Sequence, residues 1–326
     1  MAEMYLRFRA ENFQRNILRK PAKKSVRFGK DTIMDGNDRE KAERFADRIF
    51  CPTGLQHPDK SQVFQFLTGQ MQPEFEEAVY AAWEKEDFVC RNGETVIYGE
   101  YYPVENAAGC AILVHGFAQN RYIMIPQQKL FRELGFDTVL FDQRAFGVSR
   151  EKFCTFGMEE ARDVACVADR VRTKCGKDVK IVVLGVSMGA VASMRALEYT
   201  ENIDYLVEDC GFADMEDTLD DLYKSMNEGE GNLFVRETFM EKAAKIGIDM
   251  RRNRPIEAVG NSDVPICIFH GTADSTISAE HAKRLYEVCK NPASRLELFE
   301  GKEHALCVTD AGRYKAVLRE FLCDGR

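Results

Sequence analysis

From residue 87 onward, short apolar runs alternate with longer stretches in which apolar positions recur every three or four residues. Phe88-Val89-Cys90 and Thr95-Val96-Ile97-Tyr98-Gly99-Glu100-Tyr101-Tyr102 flank Arg91-Asn92-Gly93-Glu94, the pattern of an antiparallel hairpin. Six β-rich runs follow, at 110–114, 137–141, 179–184, 205–208, 265–269 and 295–299. Between and after them, residues 126–134, 159–174, 190–199, 279–288 and 313–322 carry helical periodicity. Strands alternating with helices imply right-handed crossovers, and the fold class predicted is α/β with a doubly wound, mostly parallel sheet.

Two segments stand outside this rhythm. Residues 213–260 hold an acidic helical stretch, the break Glu228-Gly229-Glu230-Gly231-Asn232 and further helical pattern, and are read as a lid inserted over the carboxyl ends of the strands. Residues 1–86 show helical texture without strand alternation. Within them Leu6, Ala10, Phe13 and Ile17 make one stripe of a helix over 3–20, expected to pack on the main domain rather than on a membrane. Lys20-Pro21 and Cys51-Pro52-Thr53-Gly54 are breaks, and the helical stretch 74–86 carries Trp83, the single tryptophan. The predicted organisation is a helical extension at 1–86, a core at 87–212 and 261–326, and a cap at 213–260.

A chain of 326 residues, 45% hydrophobic and 30% charged, has the means to bury a sizeable core. No run reaches the apolar length needed to span a bilayer, and the first residues lack the apolar core of a secretory signal. Eleven cysteines are scattered, odd in number and without a C-x-x-C pair, and no N-x-Ser/Thr sequon occurs. Reduced thiols, a cytoplasmic location and no structural zinc are expected on that basis.

Charge is uneven. Residues 1–30 hold nine Lys/Arg against Glu3 and Glu11, a net of +7, which leaves −15 on the rest of a chain totalling −8. An acidic body excludes nucleic acid as its expected substrate. The basic head is read as lying against that body or joining protomers into a homo-oligomer, with contact to RNA or an anionic lipid surface as the alternative.

The chemistry centres on Gly185-Val186-Ser187-Met188-Gly189, placed between a β-branched run and a helix rich in small residues. G-x-S-x-G at a strand-to-helix turn is the spacing of a nucleophile elbow. Such a turn strains the serine backbone, so its neighbours must lack bulk. The Met188 N–H is then expected to face a developing oxyanion.

A serine hydroxyl needs a base, and the base needs an orienting acid. Of five histidines, His57 lies in the extension, His115 and His270 precede glycines at strand ends, and His281 falls on a helix where solvation is the simplest reading. His304, in Gly301-Lys302-Glu303-His304-Ala305 after the last strand, is the candidate base. Asp274, in His270-Gly271-Thr272-Ala273-Asp274, is the candidate acid, preferred over Asp209. The second oxyanion donor is assigned to the backbone N–H of Phe117, in Leu113-Val114-His115-Gly116-Phe117. A substrate pocket is sketched from His115, Phe146, Phe212, Phe234, Phe239 and Met240, for each of which core packing is an equal alternative.

On these residues the chain resembles the α/β-hydrolase superfamily over about residues 87–326, in particular its serine esterase and acyl-peptidase-like branches. Phe141-Asp142-Gln143-Arg144-Ala145-Phe146-Gly147-Val148-Ser149 belongs to the resemblance. Thr155-Phe156-Gly157, followed by Glu159 and Glu160, is similar to bacterial cytoplasmic hydrolases of this kind. Val186 departs from a commonly polar position and Phe146 from a frequent histidine, both making the surroundings more apolar; the extension before residue 86 has no counterpart. The resemblance implies a Ser-His-Asp enzyme acting on a small-molecule acyl substrate without metal or organic cofactor. A carboxylic esterase is the leading expectation. A peptidase or amidase, a thioesterase, an acyltransferase and a non-catalytic ligand-binding protein remain alternatives.

Overall fold

The computed structural model describes residues 36–52, 58–71, 76–149, 151–226 and 231–323. The predicted helix over 3–20 and the basic head lie outside these residues. Eight strands form one sheet: β1 (Glu86–Asn92), β2 (Thr95–Tyr102), β3 (Gly109–Val114), β4 (Phe136–Phe141), β5 (Ile181–Val186), β6 (Tyr205–Asp209), β7 (Ile266–Gly271) and β8 (Arg295–Phe299). Their spatial order is β1-β2-β4-β3-β5-β6-β7-β8. The β1–β2 and β2–β4 pairs are antiparallel, and the remaining neighbours are parallel.

β3, β4, β5 and β7 are buried along their whole length, which explains why they read as mostly apolar runs rather than as alternation. The edge strand β1 alternates instead, with Phe88 and Cys90 turned inward. Within the parallel part of the sheet the path begins at β3, crosses outward to β4 and returns past β3 to β5. That reversal opens a crevice at the carboxyl ends of β3 and β5, the place where open α/β sheets bind ligands.

Helices cover both faces. Before the sheet come α1 (Gly36–Phe50), α2 (Lys60–Phe66) and α3 (Glu77–Ala81). Between strands lie α4 (Ile125–Glu133), α5 (Glu160–Cys175) and α6 (Met188–Ala196). The insertion supplies α7 (Met215–Ser225), α8 (Leu233–Lys245) and α9 (Pro255–Asn261), followed by α10 (Glu280–Glu287) and α11 (Ala311–Cys323).

The extension is integrated into this body. α1 packs on the insertion through Phe45, whose ring lies 5.2 Å from Tyr223 and 5.6 Å from Phe239, and through Phe50, 4.6 Å from Phe239. Tyr80 on α3 reaches Tyr102 on β2, and Tyr102 donates a 2.5 Å hydrogen bond to Glu100, which Lys85 also meets at 2.7 Å. Asn120 in the turn after β3 donates to the Pro58 carbonyl at 2.7 Å. Among the described residues, no helix is long and apolar enough to cross a membrane.

One expectation is corrected here. The thiols are not uniformly reduced: Cys90 on β1 and Cys166 on α5 form a disulfide, with Cα atoms 6.7 Å apart. The 76 residues between them hide the pair, because the packing of α5 on the sheet edge, not any local spacing, brings them together.

Candidate active site

Gly185 is the last residue but one of β5 and Gly189 the second of α6, and each is tightly enclosed. A Cβ at Gly185 would stand 2.2 Å from the Gly189 carbonyl oxygen; one at Gly189 would stand 2.2 Å from that of Val114. With both flanks pressed against backbone, the turn is sharp, and Ser187 takes φ 57°, ψ −121°. A positive φ in a non-glycine residue is uncommon and is retained where surrounding structure enforces it. Here the Ser187 N–H is tied to the Asp209 carbonyl at 2.8 Å on β6.

The hydroxyl so presented meets an imidazole. Ser187 Oγ lies 2.8 Å from His304 Nε2, and His304 Nδ1 lies 2.7 Å from Asp274 Oδ2. With Nδ1 protonated toward the carboxylate, Nε2 accepts from the serine. Residues distant in sequence thus converge at the carboxyl ends of β5, β7 and β8.

The Asp274 side chain is fully enclosed and well supplied with donors. Its Oδ1 accepts from the Thr276 and Ile277 N–H groups at 2.8 and 2.9 Å. Oδ2 faces His304 and, at 3.4 Å, His270 Nε2. Burial alone raises a carboxyl pKa, but the His304 charge and the bonds from both imidazoles outweigh it and hold Asp274 well below the usual carboxylate range.

Asp209, the alternative acid, is engaged elsewhere: its Oδ2 accepts from Tyr314 Oη at 3.0 Å, and burial pushes its carboxyl up to about 6. Its neighbour Glu208 is raised to about 7, again by burial, with Oε2 accepting from the Gly211 N–H. Cys210, Asp274 and His304 bring ligand-type atoms within 4.8 Å of one another. However, both imidazole nitrogens are taken, and burial pushes the Cys210 thiol well above its ordinary value, so the set is poorly suited to metal ligation.

The loop after β3 runs beside the serine. A Cβ at Gly116 would fall 3.4 Å from Ser187 Cβ, so glycine lets this backbone approach. Phe117, the residue after Gly116, lines the same cavity as Ser187, and Met188 is the first residue of α6. The loop is braced from β4. The Gln143 N–H donates to His115 Nε2 at 3.0 Å, and Asp142 accepts from the Arg121 N–H at 2.8 Å and the Val148 N–H at 2.9 Å. The Phe-Asp-Gln motif is therefore a buttress. Glu160 does the same for the next loop, accepting from the Thr155 N–H at 2.8 Å and the Gly157 N–H at 2.9 Å.

A cavity open to solvent adjoins Ser187 and His304. Its walls are Gly116, Phe117, Gln119, Ile123, Met124 and Gln127 from the turn after β3 and α4, Val186 from β5, and Ala305 and Leu306 beyond His304. Met71, in the turn following α2, closes one side. The sequence-based sketch of the pocket is corrected: His115, Phe146, Phe212, Phe234, Phe239 and Met240 do not line this cavity. His115, Phe146, Phe212 and Phe239 are fully buried, Met240 nearly so, and Phe234 packs half-buried against the same core. Phe146 presses on His115 and Phe117, at 5.7 and 5.6 Å, and so supports the loop after β3 from behind. His281, read as solvated, is buried, accepting from the Ala213 N–H at 3.2 Å, and burial lowers its pKa to about 4.

Residues 112–234 match the model of a family described as the alpha/beta hydrolase fold. Strand order, elbow and this match agree. The chain is an α/β-hydrolase-fold protein. It is 25% identical to Bacillus subtilis YqkD over 69% of this chain and 75% of that one, and 26% identical to Escherichia coli YfhR over 68% and 71%. A hydrolase fold is also shared with solved structures. An esterase of Pyrococcus furiosus superposes with a TM-score of 0.61 at 20% identity, over 76% of this chain and 95% of that one. One from Exiguobacterium antarcticum gives 0.54 at 18%, over 73% and 99%.

Proposed function

We propose that this hydrolase-fold protein is a serine hydrolase cleaving carboxylic esters of small molecules through an acyl-enzyme. The observation that carries the reading is the 2.8 Å contact between Ser187 Oγ, held at positive φ, and His304 Nε2. In the proposed reaction Oγ attacks the ester carbonyl carbon while Nε2 takes the hydroxyl proton. Asp274, kept ionised, steadies the imidazolium through Nδ1. The Phe117 and Met188 N–H groups receive the negative oxygen, each such donor contributing about 10²- to 10³-fold in rate. The imidazolium protonates the departing alcohol. Water then attacks the acyl carbon with His304 again as base, releasing the acid and restoring the serine.

The esterase neighbours and the apolar walls of the cavity support an ester over a peptide. A fluorophosphonate probe is expected to modify Ser187 alone, and Ser187→Ala to lose about 10⁶-fold in turnover while unfolding at an unchanged temperature. Labelling that survives the substitution, or turnover within tenfold of the parent, would overturn the assignment. A matched set of ester, thioester and aminoacyl-amide substrates ranks the alternatives.

A further inference from the structure

Gln127 lies in the first turn of α4, is 2% exposed, and belongs to the wall of the cavity that holds Ser187. Its Oε1 is buried and has no hydrogen-bond partner among the described residues, and none of them binds its Nε2. The contrast with its neighbours is direct. Gln128 and Gln143 also leave Oε1 unpaired, but Gln128 donates to Thr138 Oγ1 at 3.0 Å and Gln143 donates to the His115 carbonyl. Those two amides hold strands and loops together, whereas the Gln127 amide holds nothing among the described residues.

A buried carboxamide oxygen left unpaired destabilises a protein, and one beside an open cavity can be satisfied by a partner from outside. The walls at Met71, Ile123, Met124 and Leu306 are apolar, and none of the other polar lining residues, Gln119, Ser187 and His304, is bonded to it. Apolar walls with a small number of placed polar groups are the usual make-up of a small-molecule site, the polar groups setting specificity.

We infer that Gln127 determines specificity, and that the substrate group seated in this cavity carries a hydroxyl or amide rather than a plain alkyl chain. The inference rests on the ester-hydrolase reading of Ser187 and names the substrate class for that site. Either end of the carboxamide serves: Oε1 accepts from a substrate O–H or N–H, and Nε2 donates to a substrate oxygen. A site built around a hydrogen bond rejects the analogue that lacks it, because the protein group is then stranded.

The test is a set of isosteric ester pairs differing by one hydroxyl. One arm places it on the acyl side (3-hydroxybutyrate against butyrate and 3-methylbutyrate), and the other on the alcohol side (hydroxyalkyl against alkyl butyrates). In one arm the parent enzyme is expected to favour the hydroxylated ester at least tenfold in kcat/KM, and Gln127→Leu to abolish or invert that ratio. The arm that responds identifies which half of the substrate the cavity takes. Thermal unfolding checks that the variant is folded, and Gln127→Met serves if the leucine variant is not. Equal or better kcat/KM for the plain ester in both arms overturns the inference while leaving the esterase reading intact, as does a ratio that Gln127→Leu leaves unchanged. Absence of both fluorophosphonate labelling and ester turnover overturns the parent reading instead.

Discussion

His270 Nε2 stands 3.4 Å from Asp274 Oδ2, the same oxygen that receives His304 Nδ1 at 2.7 Å. His270 also bonds the Ile277 carbonyl at 2.9 Å, so one imidazole fixes both the carboxylate and the loop that carries it. His270→Ala should leave Ser187 and His304 in place yet loosen their acid. A fall of roughly 10- to 100-fold in kcat/KM, of the size seen when catalytic groups shift by about 1 Å, is expected together with a lower unfolding temperature. Steady-state kinetics and calorimetry on the same preparation check it; an unchanged kcat/KM would reduce His270 to a packing residue.

The two candidate acids separate cleanly. Asp274→Asn should lower kcat by about 10⁴-fold, since the amide favours the wrong imidazole tautomer. Asp209→Asn keeps an oxygen available for Tyr314 and does not touch His304, so its kcat is expected to stay within tenfold of the parent. The reverse ranking in an ester assay would move the acid to β6.

Beneath the site, Glu208 has an ordinary value of 4.5 raised to about 7, first by burial, and against the lowering effect of His270. Between those two values the unfolded chain releases a proton that the folded chain retains. Ionisation therefore favours unfolding, and this group's contribution to stability falls as pH climbs through the window and is level above it. Glu208→Gln, whose amide oxygen still accepts from Gly211, should gain on the parent across the same window. The gain is about 1.4 kcal/mol for every tenfold by which folding tightens the hold of this carboxyl on its proton. Denaturant unfolding at pH 4.5 and pH 7.5 reads the difference; equal differences at both would mean that Glu208 ionises normally.

Met71 narrows the cavity from the side of the extension. Met71→Trp should reduce kcat/KM for octanoyl esters about tenfold relative to acetyl esters, as expected when methylenes lose their pocket. An acyl-chain series with a common leaving group checks this, and a uniform loss across the series would place Met71 outside the acyl path.

Much of the fold was legible because its signals are local. The buried strands announce themselves as β-branched runs, and the elbow by two glycines whose missing side chains the turn demands. Asp274 and His304 follow from the loops that end β7 and β8. The pocket was not legible, because an apolar residue reads the same whether it faces a cavity or a core; Phe146, Phe212 and Phe239 belong to the core. Met71 and Gln127 carry no motif, and only packing reveals them. His281 is buried where solvation is the simplest reading, although a signal exists: with Ala282 and Leu285 it lies on the buried face of α10. The Cys90–Cys166 bond depends on tertiary neighbours and has no sequence signature.

The contact of Phe45 and Phe50 with Phe239 has a practical outcome for anyone trimming this chain. Cutting at residue 86 to isolate a minimal catalytic unit would strip α1 from α8, leaving large aromatic surface open to water and to other molecules. Such a fragment is expected to clump during purification, and any ester it still cleaved would be met by a site missing one of its walls.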